Sequence, residues 1–364
     1  MMGTMATIVT LYNTEQRAAD LGDMSYIRWF KISEALARLG HRVDIATAES
    51  KWRIRKPVVQ MGANLRRIPL GSVRWGEYDV VKALFHQGFE TLRRHGGHRH
   101  PFVICKLGSV VGPRDMDGIY FYGRTRRRLY REQERIASGA RYVTVLTEEA
   151  ADLWRDCHGS PEKLLLVPGA AEEAIPPPGP DPFGDAPRPR YVFSGNVYTR
   201  RTQPEANRVL IDKLNRLGRL IAAGGGRLFV VGPGDVRRLD PACAVWLGAV
   251  PYDASWDYLH HADVGVLVAA GPFMHNNEST KIYHYLRAGL PVVSEAGFPN
   301  DRVLEESGLA FVVPNGDMST LAARALEAAS HVWDRDAGRR YILENHTWTV
   351  RARTYDRLFE DVLG

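Results

Sequence analysis

The chain has 364 residues, 45% hydrophobic and 25% charged, an ordinary soluble globular composition; with no run of 18 apolar residues and no charged-then-apolar leader, the sequence reads as neither membrane-spanning nor obviously secreted. Three widely spaced cysteines (Cys105, Cys157, Cys243) fit no disulfide framework and no zinc spacing, so a reducing cytoplasm is the expected setting. The formal charge of +6 suits an anionic partner (a nucleoside diphosphate, an acidic membrane surface or nucleic acid) without choosing among them.

In chain order, short β-branched apolar runs bounded by Gly or Pro predict strands at 6–12, 42–48, 79–85, 101–107, 142–147 and 163–168. A second set follows at 190–195, 226–232, 262–269, 291–295 and 309–314. Nearly continuous runs of this kind are expected of strands buried on both faces of a parallel sheet. Amphipathic stretches lie between them, such as 25–40, where Ile27, Ile32, Ala35, Leu36 and Leu39 form a stripe and Gly40 sits at the stop. Alternating strand and helix over both halves predicts α/β architecture: two doubly wound Rossmann-like domains. The proline-rich stretch from 174 to 189 reads as a semi-rigid linker between them. Ligands of such sheets bind beyond the carboxyl ends of strands, so the post-strand loops should carry function, lining a cleft between the domains.

Taking those loops in turn, NTEQRAADLGDM (13–24) offers Gly22 for close approach and Asp23 as a carboxylate; GPRDMDG (112–118) offers Asp115 and Asp117. Each aspartate is also an ordinary turn former or cap. The stretch 123–135 is dense in arginine, with Arg124, Arg128, Arg131 and Arg135 on one helical face. It is either a solvated helix with Glu132 and Glu134 pairing nearby, or a basic surface for anionic lipid or a phosphorylated acceptor. His95, His98 and His100 have no Cys or carboxylate among them and read as a loop, not a metal site.

In SGNVYTRR (194–201) a strand ends at Gly195, and Asn196, Tyr198, Arg200 and Arg201 follow. An arginine fork suits a diphosphate because it donates two parallel hydrogen bonds. VVGPGD puts Gly232 after another strand, and a loop with Gly248, Val250, Pro251 and Tyr252 could hold a nucleobase by backbone groups and an aromatic wall. In NNESTKIYHYLRAGLPVV, Ser279 or Thr280 can cap a helix that ends at Gly289 and Pro291. Lys281 falls in its first turn, where the helix dipole prefers a carboxylate; that violation points to phosphate binding, with His284 one turn deeper.

The order strand–Gly-Asn–Arg, strand–VGPG, LGAV loop, ADVGVLV, STK helix, GLPVV, FVVPNGD and a final HTWTVRARTYDRLFEDVL resembles the C-terminal domain of GT-B glycosyltransferases, and most closely the retaining group called family four. ISEALARLGHRVDIAT is similar to that family's first helix and second strand, and VPGAAEEAIPP resembles its interdomain segment, without its Asn and with Ala171 near its Asp. The resemblance implies an acceptor-side domain at 1–172, a linker at 173–189, a donor domain at 190–340 and a C-terminal helix at 341–364 that crosses back to the first domain. It implies a nucleotide-sugar donor, UDP-sugar before GDP-sugar, held by Asn277, Glu278, Ser279, Thr280, Lys281 and His284 with the loop residues above. Arg200 or Arg201 and Lys281 would neutralise the diphosphate, so no metal or other cofactor is required. The acceptor would be a hydroxyl on a glycan or lipid-linked glycoconjugate precursor. The protein would be cytoplasmic, with the 124–135 helix able to touch an anionic membrane; no nucleic-acid partner is expected. The family's two glutamates fall on Asn276 and His284, which leaves the donor and the stereochemical outcome open: an inverting enzyme would need Asp23, Asp115 or Asp117 as base, a retaining one would not. A basic binding protein without catalysis and a sugar-nucleotide epimerase are the competing readings.

Overall fold

The computed structural model describes residues 5–11, 24–47, 58–112, 123–159, 161–201, 203–271 and 276–364. Among these, the chain up to Gly169 together with Trp348–Gly364 forms one unit, and Ala170–Thr347 forms another.

In the first unit β1 (Thr7–Leu11), β2 (Arg42–Thr47), β3 (Val59–Gly62), β4 (Leu65–Pro69), β5 (Val80–Leu84), β6 (Val103–Lys106), β7 (Tyr142–Val145) and β8 (Leu164–Leu166) make one sheet, in the order β3-β4-β2-β1-β5-β6-β7-β8. The ladder is parallel throughout, apart from the antiparallel pair of β3 and β4. Its helices are α1 (Met24–Arg38), α2 (Phe85–Arg94), α3 (Gly123–Gly139) and α4 (Glu148–His158). α1 buries Ile27, Ile32, Ala35 and Leu36, the stripe read from spacing, and Gly40 follows with φ +104°, a conformation that favours glycine. Strands β1 and β5 to β7 are buried on both faces, with Lys82, Lys106 and Thr144 among their otherwise mostly apolar residues.

Strands β3, at the sheet edge, and β4, beside it, do not stand out in the sequence, because they carry Gln60, Arg66 and Arg67 instead of an apolar run. Arg66 belongs there for a tertiary reason. It donates Nε and Nη2 to the fully buried Asp44 of β2 at 2.7 and 2.6 Å, while Tyr78 donates its hydroxyl to the same carboxylate at 2.8 Å. A buried carboxylate is tolerable only when paired in this way.

In the second unit β9 (Arg190–Ser194), β10 (Arg227–Val231), β11 (Ala244–Gly248), β12 (Val264–Leu267), β13 (Val292–Glu295) and β14 (Ala310–Val313) form an all-parallel sheet in the order β11-β10-β9-β12-β13-β14. Helices α5 (Pro204–Ala223), α6 (Tyr252–His261), α7 (Thr280–Ala288), α8 (Asp301–Ser307), α9 (Met318–Ser330) and α10 (Arg335–Asn345) cover it. One expectation needs correcting. Gly248 and Tyr252 were read as parts of one loop, but Gly248 closes strand β11 and Tyr252 opens α6. The edge strand β11, Ala-Val-Trp-Leu-Gly, is an apolar run of its own, yet as an edge strand it leaves Trp246 exposed and Val245 and Leu247 half-buried.

The proline-rich segment is laid onto the second unit. Gly179 donates its N–H to Asp257 at 2.8 Å, the rings of His260 and His261 meet the carbonyls of Pro176 and Gly179, and Phe183 packs on Phe229 and Tyr258. Prolines lack the N–H groups for a ladder, so α6 side chains supply the hydrogen bonds.

The last helix, α11 (Trp348–Leu363), belongs to the first unit, where it packs on α1. Its buried Tyr355 hydroxyl lies 3.4 Å from Thr144 Oγ1, and its ring faces the buried Lys82 Nζ at 4.1 Å. Burial, and secondarily the charge of Lys106, lowers the Lys82 ammonium to about 7.

Each sheet has one point where strand order reverses: between β1 and β5, and between β9 and β12. Crevices at the carboxyl ends of strands beside such points are where open α/β sheets take ligands.

Candidate functional site

The second unit's reversal point is built on glycine contacts. A Cβ on Gly232, after β10, would sit 2.1 Å from the carbonyl oxygen of Gly195, after β9. A Cβ on Gly195 would in turn sit 2.2 Å from Lys281 Cε. Two loops and a lysine stem thus meet at distances that only glycine permits. Asn207, buried in α5, ties the loops by donating Nδ2 to the carbonyls of Val197 at 2.9 Å and Asp235 at 2.8 Å. Asn196 turns the loop by accepting the Tyr198 N–H at 2.9 Å, and Tyr198 takes a positive φ of 54°.

Helix α7 is anchored by Tyr285, whose hydroxyl accepts the Ser194 N–H at 2.7 Å and whose ring occupies the space a side chain on Gly265 would fill. The anchor fixes the first turn beside Gly195. Ser279 is the N-cap residue, yet its side chain makes no cap hydrogen bond, and its Oγ is buried with no hydrogen-bond partner among the described residues. Its backbone is held instead by Asn300, which accepts from Ser279 N and donates to Ser279 O, both at 2.9 Å. Lys281 is half-buried, its Nζ 5.0 Å from the Phe193 ring centroid. Burial lowers its ammonium to about 8, and no carboxylate pairs with it among the described residues. A cation kept at a strand end with uncapped helix N–H groups is arranged for an anion.

One turn on, His284 is packed between Trp256 and Tyr252, at ring-centroid distances of 5.3 and 5.6 Å. Tyr252 is buried, with its hydroxyl donating to Glu172 and 3.3 Å from His284 Nε2. Of the other expected site residues, Val250 is half-buried and Pro251 exposed just before α6. Asn277 and Thr280 are half-buried, whereas Asn276 and Glu278 are buried and Glu278 accepts the Tyr283 hydroxyl at 2.9 Å.

Arg200 and Arg201 are exposed in a hollow at the start of α5, together with Arg208, Arg237 and Arg238. The last three are matched by Glu205, Asp212 and Asp235, and Arg237, with a weaker contribution from Arg200, holds the Asp235 carboxyl down at about 2. Arg200 and Arg201 have no carboxylate partner among the described residues. Gly22, Asp23, Asp115 and Asp117 lie outside the described residues.

No protein-family model matches the chain, and no curated protein matches it. Solved structures do. Sucrose-phosphate synthase from Thermosynechococcus elongatus matches at TM-score 0.68 and 15% identity, covering 98% of this chain and 99% of its own. Trehalose-6-phosphate synthase OtsA matches at TM-score 0.69 and 10% identity, over 98% and 99% of the two chains. HepE of Anabaena in complex with UDP matches at TM-score 0.65 and 12% identity, over 98% and 100%. The fold is GT-B.

Within this GT-B chain, sequence reasoning missed Trp256, which packs on His284, and four further residues that shape the site. Glu172 and Asn300 act across 80 and 21 positions, on Tyr252 and Ser279. Asn207 looks like any polar helix residue, and Phe193 like any strand residue. Only Glu172 left a trace, as an acidic residue just after a Pro-Gly-Ala-Ala turn.

Proposed function

We propose that this chain is a glycosyltransferase that moves a sugar from a nucleoside-diphosphate sugar, UDP-sugar first and GDP-sugar next, to a hydroxyl of a glycan, glycolipid or other glycoconjugate precursor. The observation that carries the reading is Lys281, an ammonium without a carboxylate partner among the described residues, set against Gly195 at the uncapped start of α7. Lys281, with Arg200 or Arg201, neutralises the diphosphate and so stabilises the departing nucleotide; this chemistry asks for no metal. Asn277, Glu278, Ser279 and Thr280 shape the phosphate loop, Tyr252 and Trp256 form the wall, and His284 meets the ribose. A retaining outcome follows if the leaving phosphate itself assists the incoming hydroxyl. Support comes from the structural neighbours: HepE was solved with UDP and with UDP-glucose, and another neighbour is a UDP-forming trehalose-phosphate synthase from Burkholderia vietnamiensis.

A thermal-shift panel of UDP, GDP, ADP and dTDP tests the reading. At a hundred times its dissociation constant, a ligand specific for the folded state adds about 2.7 kcal/mol. UDP should give the largest rise in melting temperature; no rise with any of the four would refute the donor site.

The reading extends to an anionic membrane on the acceptor side. Arg124, Arg127, Arg128 and Arg131 of α3 line an exposed hollow beside Gly112, while Arg135 is occupied by Glu132 at 2.6 Å. The protein should therefore sediment with vesicles containing anionic lipid and not with zwitterionic ones, and reversing Arg127 and Arg128 to glutamate should abolish the difference. Equal sedimentation of both proteins would remove α3 from the account.

A further inference from the structure

Helices α7 and α8 are each preceded by a residue type that caps helices well, and neither residue caps its own helix. Ser279 stands before α7 and Asn300 before α8, yet no side-chain cap hydrogen bond is made at either start. Elsewhere the usual bond is in place. Thr147 accepts the Ala150 N–H at 3.1 Å at the start of α4, Asp317 the Thr320 N–H at 3.0 Å at α9, and Asp334 the Ala337 N–H at 2.9 Å at α10.

The two exceptions are spent on each other. The Asn300 carboxamide accepts the Ser279 N–H and donates to Ser279 O, both at 2.9 Å, so it grips one residue by both of its backbone groups. Asn300 is buried, and its loop is fixed in turn by Asp301, whose Oδ2 accepts the N–H groups of Gly297 at 2.6 Å and Phe298 at 3.1 Å. Under this grip the backbone of Ser279 stands at ψ 107°, whereas Thr147, whose hydroxyl does cap, stands at ψ 160°. Turning Ser279 toward that value would swing its carbonyl away from Asn300 Nδ2. The Ser279 Oγ is left buried with no hydrogen-bond partner among the described residues, a state that costs free energy.

We propose that Asn300 is a positioning residue that keeps the start of α7 open: it withholds the Ser279 hydroxyl from the first-turn N–H groups, so that these meet the donor's diphosphate without first breaking a cap. Such N–H groups have no acceptor within their own helix, and a hydroxyl and a phosphate compete for them. The open turn is a property of the free protein; its use on a diphosphate rests on the donor-site reading above.

Two measurements test it, and the first needs no nucleotide. In Asn300→Ala the Ser279 hydroxyl is released to cap α7. Backbone amide exchange at 280–282 should then be about fivefold slower than in the double variant Asn300→Ala/Ser279→Ala, about fivefold being the worth of a typical serine cap. Equal rates in the two variants overturn the proposal, whether or not any nucleotide binds. The second measurement is UDP affinity by isothermal titration. Asn300→Ala should weaken UDP about fivefold when Ser279 is present and less than about twofold in the Ser279→Ala background, because only the hydroxyl competes. An equal loss in both backgrounds would mean that Asn300 merely supports the fold, and would overturn its role toward phosphate. Absence of UDP binding in the wild-type protein would instead sink the donor-site reading and leave the exchange rates to decide the open turn. Should Asn300→Ala fail to fold, Asn300→Asp carries the same comparisons, since it keeps the shape and loses the donation to Ser279 O.

Discussion

Replacing Lys281 by alanine is expected to weaken UDP binding by about a hundredfold while changing uridine binding less than about twofold, because a charged hydrogen-bond donor is worth about 1.5–3 kcal/mol to a phosphate and little to a nucleoside. The contrast follows from position. Lys281 stands at the first turn of α7 against Gly195, and His284 and the aromatic wall stand a turn away. Isothermal titration with the two ligands checks it, and equal losses for both would refute the phosphate role.

The same lysine gives binding a pH signature with a definite sign. Burial lowers Lys281 to about 8 in the free protein. Below that pH the ammonium is present and meets the diphosphate; above it the free protein must take up a proton to bind. UDP affinity should therefore fall as pH rises through about 8, by up to about tenfold per unit, since a one-unit pKa difference is worth 1.36 kcal/mol. Lys281→Arg keeps its charge throughout this range and should flatten the profile. A wild-type profile already flat from pH 7 to 10 would show that the ammonium does not face the phosphates.

Glu295→Ala should cost about 3–5 kcal/mol of stability, the range for breaking a buried ion pair from one side. Glu295 ends β13 and is fully buried. Each of its oxygens accepts Lys213 Nζ at 2.7 Å, while Ala269 N–H at 2.7 Å and Gly316 N–H at 2.8 Å complete the set. Alanine would leave two amides unpaired and a half-buried ammonium with only Asn315 Oδ1, at 3.1 Å, in place of its counter-charge, next to the loop that leads from β12 toward α7. Urea unfolding measures the loss. Pairing Glu295→Leu with Lys213→Met should recover most of it, since replacing both charges removes their desolvation cost as well as their attraction. A single-variant loss below about 1 kcal/mol, the centre of the distribution for ordinary substitutions, would show that Glu295 is not the anchor of these loops.

Much of the fold could be read because strands buried on both faces need apolar residues at every position, and that demand is local. β9, β10, β12 and β13 could be marked out from their own residues, as could α7, with its Ser279–Thr280 start and the left-handed Gly289 at its end. β3 and β4 could not, because Gln60, Arg66 and Arg67 leave no apolar run there to read. The site was legible in the same proportion. Lys281 stood out because it violates a local rule, a cation at the positive end of a helix dipole. Arg200 and Arg201 were named from their place after a strand, and only tertiary structure separates them from Arg208, Arg237 and Arg238, whose charges are already matched.

By itself, then, the sequence determined the alternation of strand and helix, the start and stop of α7, and the presence of a cation in that helix's first turn. Each depends on neighbours within a few residues, through burial period, cap and dipole. Only the tertiary structure decided that Gly232 touches Gly195 and Gly195 touches Lys281, that the proline-rich segment lies along α6, and that Glu172 reaches His284 through Tyr252. Those contacts join residues about 30 to 90 positions apart, and the parallel crossovers that bring them together depend on the packing of whole helices on whole sheets, which no local pattern encodes.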